Sequence, residues 1–161
     1  MISFKKQRYI QFIFISSLAI LIAAFFIQYI LGYQPCNLCI IERIPYSIAI
    51  TILILNHIFK KDQIFYSVLL ILIFSFSLII SIYHLGIEQG LINESSVCGS
   101  NNANLLTKEK ILKSLQEINI SCKDVTLRIF GLSLTTYNIF ISLLMVIISI
   151  KIYLINNDNK K

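Results

Sequence analysis

The sequence predicts an all-α fold, a polytopic membrane four-helix bundle with two outer loops and a short amphipathic interfacial helix. Three observations carry this. Of 161 residues, 57% are hydrophobic and 14% charged, too apolar for an ordinary soluble domain. The apolar residues gather into four runs of about 16–24 residues, near the length needed to cross a bilayer. The basic residues cluster where the runs would emerge on one side.

The runs cover residues 9–31, 44–59, 64–84 and 132–155, approximately. The first is longer than the apolar stretch of a secretory signal, and "AAFFIQYI" offers no small-residue cleavage site, so it is read as a retained span. The second is the shortest and begins after "PCNLCIIER". A tight "KKDQ" turn leads to the third. A long polar segment, residues 85–131, separates the third from the fourth, and the first outer loop covers residues 32–43. Within the long loop, Ile111, Leu112, Leu115 and Ile118 recur at helical spacing among Lys108, Lys110, Lys113 and Glu117, the pattern of a short amphipathic helix that rests on the membrane surface or caps the bundle. The whole chain is read as one integral membrane domain, its short connections favouring antiparallel neighbours.

With the N-terminus inside, Lys5, Lys6, Arg8, Lys60, Lys61, Lys151, Lys160 and Lys161 all fall on the inner side, against only Asp62 and Asp158. The outer side balances six basic with six acidic residues. This excess of Lys and Arg on one side places both termini in the cytoplasm, and it accounts for the net charge of +6 without a nucleic-acid partner. The tyrosines, Tyr46 among them, fall near span ends, as expected of an interfacial belt.

All four cysteines then lie outside: Cys36 and Cys39 in the first loop, Cys98 and Cys122 in the second. An oxidising compartment permits two disulfides there. Three connectivities are possible, Cys36–Cys39 with Cys98–Cys122 being the simplest. Pro35 suits a helix entrance. A helix starting there puts Cys36, Cys39 and Arg43 on one face, where the helix end and the guanidinium give Cys39 two reasons to be a stabilised thiolate. Glu42 is expected to offset that effect or to hold the guanidinium, and Pro45 to interrupt the helix. Haem attachment would require His after the second cysteine, where Ile40 stands, and a four-cysteine zinc site would require a second CxxC. No metal site is expected. A structural disulfide is a reasonable reading of Cys98–Cys122. It suits Cys36–Cys39 poorly, because so short a loop removes little unfolded-state entropy. His84, in "YHLGIEQG" at the outer end of the third run, is read as an interfacial histidine or as a donor to a bound acceptor.

"CNLCIIER" opening the second span, "YHLGIEQG" before a loop cysteine and "GLSLTTYN" opening the last span together resemble the DsbB family of disulfide-bond formation proteins, over nearly the whole chain. The resemblance implies a bacterial inner-membrane thiol oxidase with its cysteines in the periplasm. Such an enzyme reoxidises a DsbA-like, thioredoxin-fold dithiol protein and passes the electrons to a membrane quinone, ubiquinone or menaquinone. It implies that Cys98 forms the mixed disulfide with the partner and Cys122 leaves. Cys36 then exchanges with the loop, Cys39 faces the quinone, and Arg43 and His84 contact it. A DsbA-like couple near −120 mV lies beyond glutathione as an oxidant, so a lipid-soluble quinone is a suitable sink. Two other readings stand beside this one: a quinone reductase of the vitamin-K-epoxide-reductase type, and a non-enzymatic structural or metal-binding membrane subunit.

Overall fold

The computed structural model describes residues 2–59, 63–93, 98, 121–123 and 127–158. The amphipathic helix expected around residues 108–118 lies outside them. Among the described residues, four helices are long and apolar enough to cross a membrane. The long elements are α1 (Ile2–Tyr29), α3 (Ile44–Phe59), α4 (Gln63–Glu88) and α5 (Leu134–Asp158), with the one-turn helix α2 (Asn37–Ile41) ahead of α3. A two-stranded ribbon, β1 (Arg128–Ile129) and β2 (Leu132–Ser133), precedes α5.

The burial pattern shows which way each helix faces. On α4, Phe65, Leu72 and Ile79 recur every seventh residue and are 60%, 60% and 65% exposed, although all are large and apolar. The opposite face buries Ser67, Leu70, Phe74, Ser77, Ser81 and His84. A helix with apolar residues outward and small polar residues inward is arranged for lipid, where the outside is as oily as the core. The long helices close a ring in which α1 packs on α3 and α5, and α4 packs on the same two. This is a four-helix membrane bundle.

Two kinds of side chain fill its centre. Ile13, Ala49, Leu53, Leu70, Phe74, Met145 and Ile152 form an apolar cluster. Through the α4–α5 seam runs a chain of small hydroxyls: Ser77 Oγ lies 3.0 Å from Ser142 Oγ, which lies 3.1 Å from Tyr46 OH. Small residues let helix backbones approach, and such interhelical bonds contribute about 0.6 kcal/mol each. Tyr46, 1% exposed, therefore belongs to the core and not to the interfacial belt. Its hydroxyl also donates to Asn138, which explains why a phenol is tolerated there.

The entry to α3 is broken in a way that shapes the site. Cys36 caps α2, its sulfur accepting from the Cys39 backbone N–H at 3.2 Å. α2 ends at Ile41 because Pro45 has no N–H to return to the Ile41 carbonyl. Glu42 and Arg43 form the turn, and α3 restarts at Ile44 with Pro45 in its first turn, where a missing donor costs nothing. The interruption thus falls ahead of the proline. At the end of the second outer loop, Phe130 and Gly131 both take positive φ, 50° and 81°, as a two-residue hairpin turn requires. Tyr137 OH donates to the Ile129 carbonyl at 3.1 Å and ties this ribbon to α5.

Candidate functional site

At one end of the bundle the four cysteines meet. Cys98 and Cys122 are joined by a disulfide, while Cys36 and Cys39 are free thiols. Cys36, Cys98 and Cys122 are buried in one cluster with Leu38 and Ile87, against which Cys39 and Tyr83 pack. The CxxC turn of α2 brings the sulfurs of Cys36 and Cys39 to 2.6 Å. A disulfide bond, about 2.05 Å long, requires them to close by only about half an ångström.

The spacing points to a stabilised thiolate at Cys39, but it is the environment of Cys36 that favours one, because His84 and the Cys39 thiol both face its sulfur while Arg43 turns to α1. The hydrogen bond with the Cys39 thiol is the largest influence, and the His84 ring adds a hydrogen bond and a favourable charge interaction. Together they outweigh burial and pull the Cys36 thiol from its ordinary 9.0 down to about 5. The His84 Nε2 atom stands 3.5 Å from Cys36 Sγ.

His84 is held from behind. Its Nδ1 donates to Glu42 Oε1 at 3.0 Å, and Thr135 Oγ1 stands 3.3 Å from the same nitrogen. Thr135 in turn donates to Glu88 Oε1 at 2.5 Å, and that oxygen is 3.8 Å from Nε2. The second carboxylate oxygen of Glu42 accepts from Asn138 Nδ2 at 3.0 Å, and the same amide contacts Ser81 Oγ at 2.8 Å. His84 is 1% exposed and Glu42 8%. A carboxylate so enclosed is tolerated only where its oxygens find donors, and both do. Glu42 thus serves the histidine and not Arg43. The guanidinium instead donates to Gln28 Oε1 of α1 at 2.5 Å and lies 5.4 Å over the Phe25 ring. This arrangement follows from the turn at residues 42–43, which sends the adjacent side chains to different helices.

Beside this network is a cavity of about 240 Å³ between α1, the α2–α3 junction and α5. Ala23 and Ala24 leave the room on the α1 side, and Cys39, Arg43 and Asn138 bring polar atoms to the wall. Its size lies just below the usual range of ligand clefts, about 300–1,000 Å³, and suits a ring without its tail. Cys39 lines this space, whereas Cys36 packs with the loop disulfide. Of the pair, only Cys39 reaches the cavity wall.

The structure brings together Cys36, Cys39, Cys98, Cys122, Arg43 and His84. Arg43 is on the cavity wall, and His84 stands behind Cys36, outside the lining. His57, in the last turn of α3 at the other end of the bundle, is exposed. Thr135, Asn138 and Gln28 were not singled out from sequence. The first two lie in "GLSLTTYN", and all three are polar residues within runs otherwise made for lipid, a signal that could have marked them.

The family model of the disulfide bond formation protein DsbB matches residues 6–152. An uncharacterized protein of Rickettsia prowazekii (strain Madrid E), RP370, is 30% identical over 154 residues, a match covering 89% of this chain and 87% of the relative.

Proposed function

Starting from the chain's membership of the DsbB family of disulfide-bond formation proteins, we propose that it is a quinone-dependent thiol oxidase of the bacterial inner membrane. It reoxidises a periplasmic DsbA-like dithiol protein through Cys98–Cys122 and passes the electrons through Cys36–Cys39. Both termini are cytoplasmic in this reading, and the cysteine end of the bundle is periplasmic. The observation that carries it is the division of labour at the CxxC pair: Cys36 is buried with the loop disulfide and Cys39 opens on an apolar cavity.

The steps at sulfur follow from exchange chemistry. A thiolate of the partner attacks Cys98 and displaces Cys122 as the leaving thiolate. The partner's second thiol resolves the mixed disulfide, releasing oxidised partner and leaving the loop pair as a dithiol. A loop thiolate then attacks the Cys36–Cys39 disulfide at Cys36, the sulfur it packs against, and Cys39 departs as a thiolate on the cavity side. Re-closure of the loop disulfide expels Cys36, whose thiolate His84 supports. Two electrons and two protons have then crossed from the partner to the CxxC pair.

The cavity residues fit a quinone head. The space is of ring size, mostly apolar, and carries a cation and a cysteine on its wall. Bound there, a quinone supplies the oxidant that turns two thiols into a disulfide and becomes a quinol. Arg43, fixed by Gln28 and Phe25, would hold negative charge as it develops at a carbonyl oxygen. Asn138 and Thr135 present polar groups to the same space, and Glu42 with His84 can pass a proton toward it.

Partner trapping tests this reading. With Cys122→Ser, the mixed disulfide through Cys98 cannot be displaced by its former mate, and a thioredoxin-fold protein is expected to accumulate on Cys98 in non-reducing gels. Capture through Cys36 alone, with Cys98 unmodified, would refute the order of transfer.

A further inference from the structure

Three of the groups at the site also form a ligand set. The sulfurs of Cys36 and Cys39 and a ring nitrogen of His84 lie within 4.8 Å of one another. Thiolate and imidazole donors are those zinc prefers. With bonds of about 2.3 Å to sulfur and about 2.0–2.1 Å to nitrogen, tetrahedral zinc sets sulfur–nitrogen pairs about 3.6 Å apart and sulfur pairs about 3.8 Å apart. Cys36 and His84 already stand at 3.5 Å. The sulfur pair, at 2.6 Å, has to part by about 1.2 Å to reach that spacing, within the reach of a side-chain rotation at Cys39.

The surroundings complete the donor set. Metal-binding histidines nearly always donate their other ring N–H to a carboxylate, carbonyl or water, which fixes the tautomer and raises ligand basicity. Glu42 does this for His84: its carboxylate accepts from Nδ1–H at 3.0 Å and leaves Nε2 to face the sulfur. Glu42 is itself held by Asn138. Two thiolates cancel the charge of a divalent cation, so loading this buried corner leaves no excess charge. Glu88 brings a carboxylate oxygen to 3.8 Å from the same ring nitrogen.

We propose that the chain in its dithiol state binds one zinc-type divalent cation through Cys36, Cys39 and His84, with Glu42 orienting the ring, and that metal capture and formation of the Cys36–Cys39 disulfide exclude each other. The donors bind as two thiolates and a neutral imidazole, so two protons leave as the cation enters, one from Cys39 and one from the Cys36–His84 pair, and no electrons move. Once the disulfide forms, the site retains no thiolate to ligate. Binding stands on its own; only the expected inhibition of turnover rests on the oxidase reading. Sequence spacing pointed away from metal because the third ligand comes from α4, 45 residues beyond Cys39.

The test uses the full chain purified in detergent with Cys98→Ser and Cys122→Ser, so that the loop pair cannot ligate. The reduced protein is titrated anaerobically with Co²⁺, without quinone or partner. The expected result is one Co²⁺ per chain, with thiolate-to-cobalt charge-transfer absorption and the visible bands of four-coordinate cobalt, displaced by Zn²⁺. Oxidising Cys36 and Cys39 beforehand abolishes these bands. Glu42→Gln weakens binding about 10–100-fold. X-ray absorption of the zinc-loaded chain, which needs no substitution at the site, shows two sulfurs and an imidazole nitrogen. Equal binding by oxidised and reduced chain, no thiolate band, or a zinc shell without imidazole each overturns the proposal.

Discussion

Removing the imidazole beside Cys36 should shift the pH at which that cysteine reacts. In the reduced chain the thiol of Cys36 is drawn down to about 5 from 9.0, first by the Cys39 hydrogen bond and then by His84 at 3.5 Å, against burial. At pH 7 that makes thiolate exceed thiol by roughly 100 to 1, where an ordinary cysteine would show roughly the reverse. The absolute alkylation rate at pH 7 is a poor readout. Nucleophilicity falls with pKa at a slope of about 0.4–0.5, so a drop of this size costs roughly 40–100-fold and nearly cancels the gain in ionised fraction. The midpoint of the pH–rate curve is free of that cancellation. The assay follows alkylation of Cys36 by a small uncharged reagent from pH 4 to 10, with the modified peptide identified by mass spectrometry. The wild-type midpoint falls near 5. His84→Ala moves it upward, short of the ordinary value because the Cys39 bond remains. A depressed folded value also stabilises the reduced chain. That contribution is fully present above the unfolded value near 9 and disappears as pH falls through about 5. A wild-type midpoint near 9, or one that His84→Ala leaves in place, would refute the thiolate–imidazole pairing.

Three further outcomes follow from named contacts. Glu42→Gln removes the charge that His84 and Asn138 share, and should lower stability by about 2–3 kcal/mol in thermal or denaturant unfolding of the detergent-solubilised protein. Arg43→Ala should raise the apparent KM for a quinone analogue and slow oxidation; Arg43→Lys should restore little, because the Gln28 bond and the stacking on Phe25 need the planar guanidinium. Tyr46→Phe leaves Asn138 and Ser142 short of a buried partner and should cost about 1–3 kcal/mol in unfolding, with the helical circular dichroism of the native protein retained.

The bundle was legible because lipid imposes long apolar runs, and the charges at their ends have few other causes. The cysteines were legible because CxxC before a span and a second pair in a polar loop leave a visible spacing. Contacts between helices were not legible. Of the two roles expected of Glu42, holding the Arg43 guanidinium is not the one seen: the turn ahead of Pro45 sends Glu42 to α4 and α5 and Arg43 to α1. Tyr46 read as interfacial from its place near a span end; only the α4–α5 hydroxyl seam reveals it as core. The antiparallel topology puts His84 at the depth of the CxxC pair, but its contact with Cys36, 48 residues away, depends on the packing of α4 against the CxxC turn.

The relay through the two faces of the CxxC pair is tested most directly by mixing the purified chain with a reduced thioredoxin-fold dithiol protein and a soluble quinone analogue, and following quinone absorbance. Wild-type protein should bleach the quinone catalytically, one equivalent for each partner disulfide formed, and Cys39→Ser should abolish the bleaching. Undiminished bleaching by Cys39→Ser, or none by the wild type, would contradict the account.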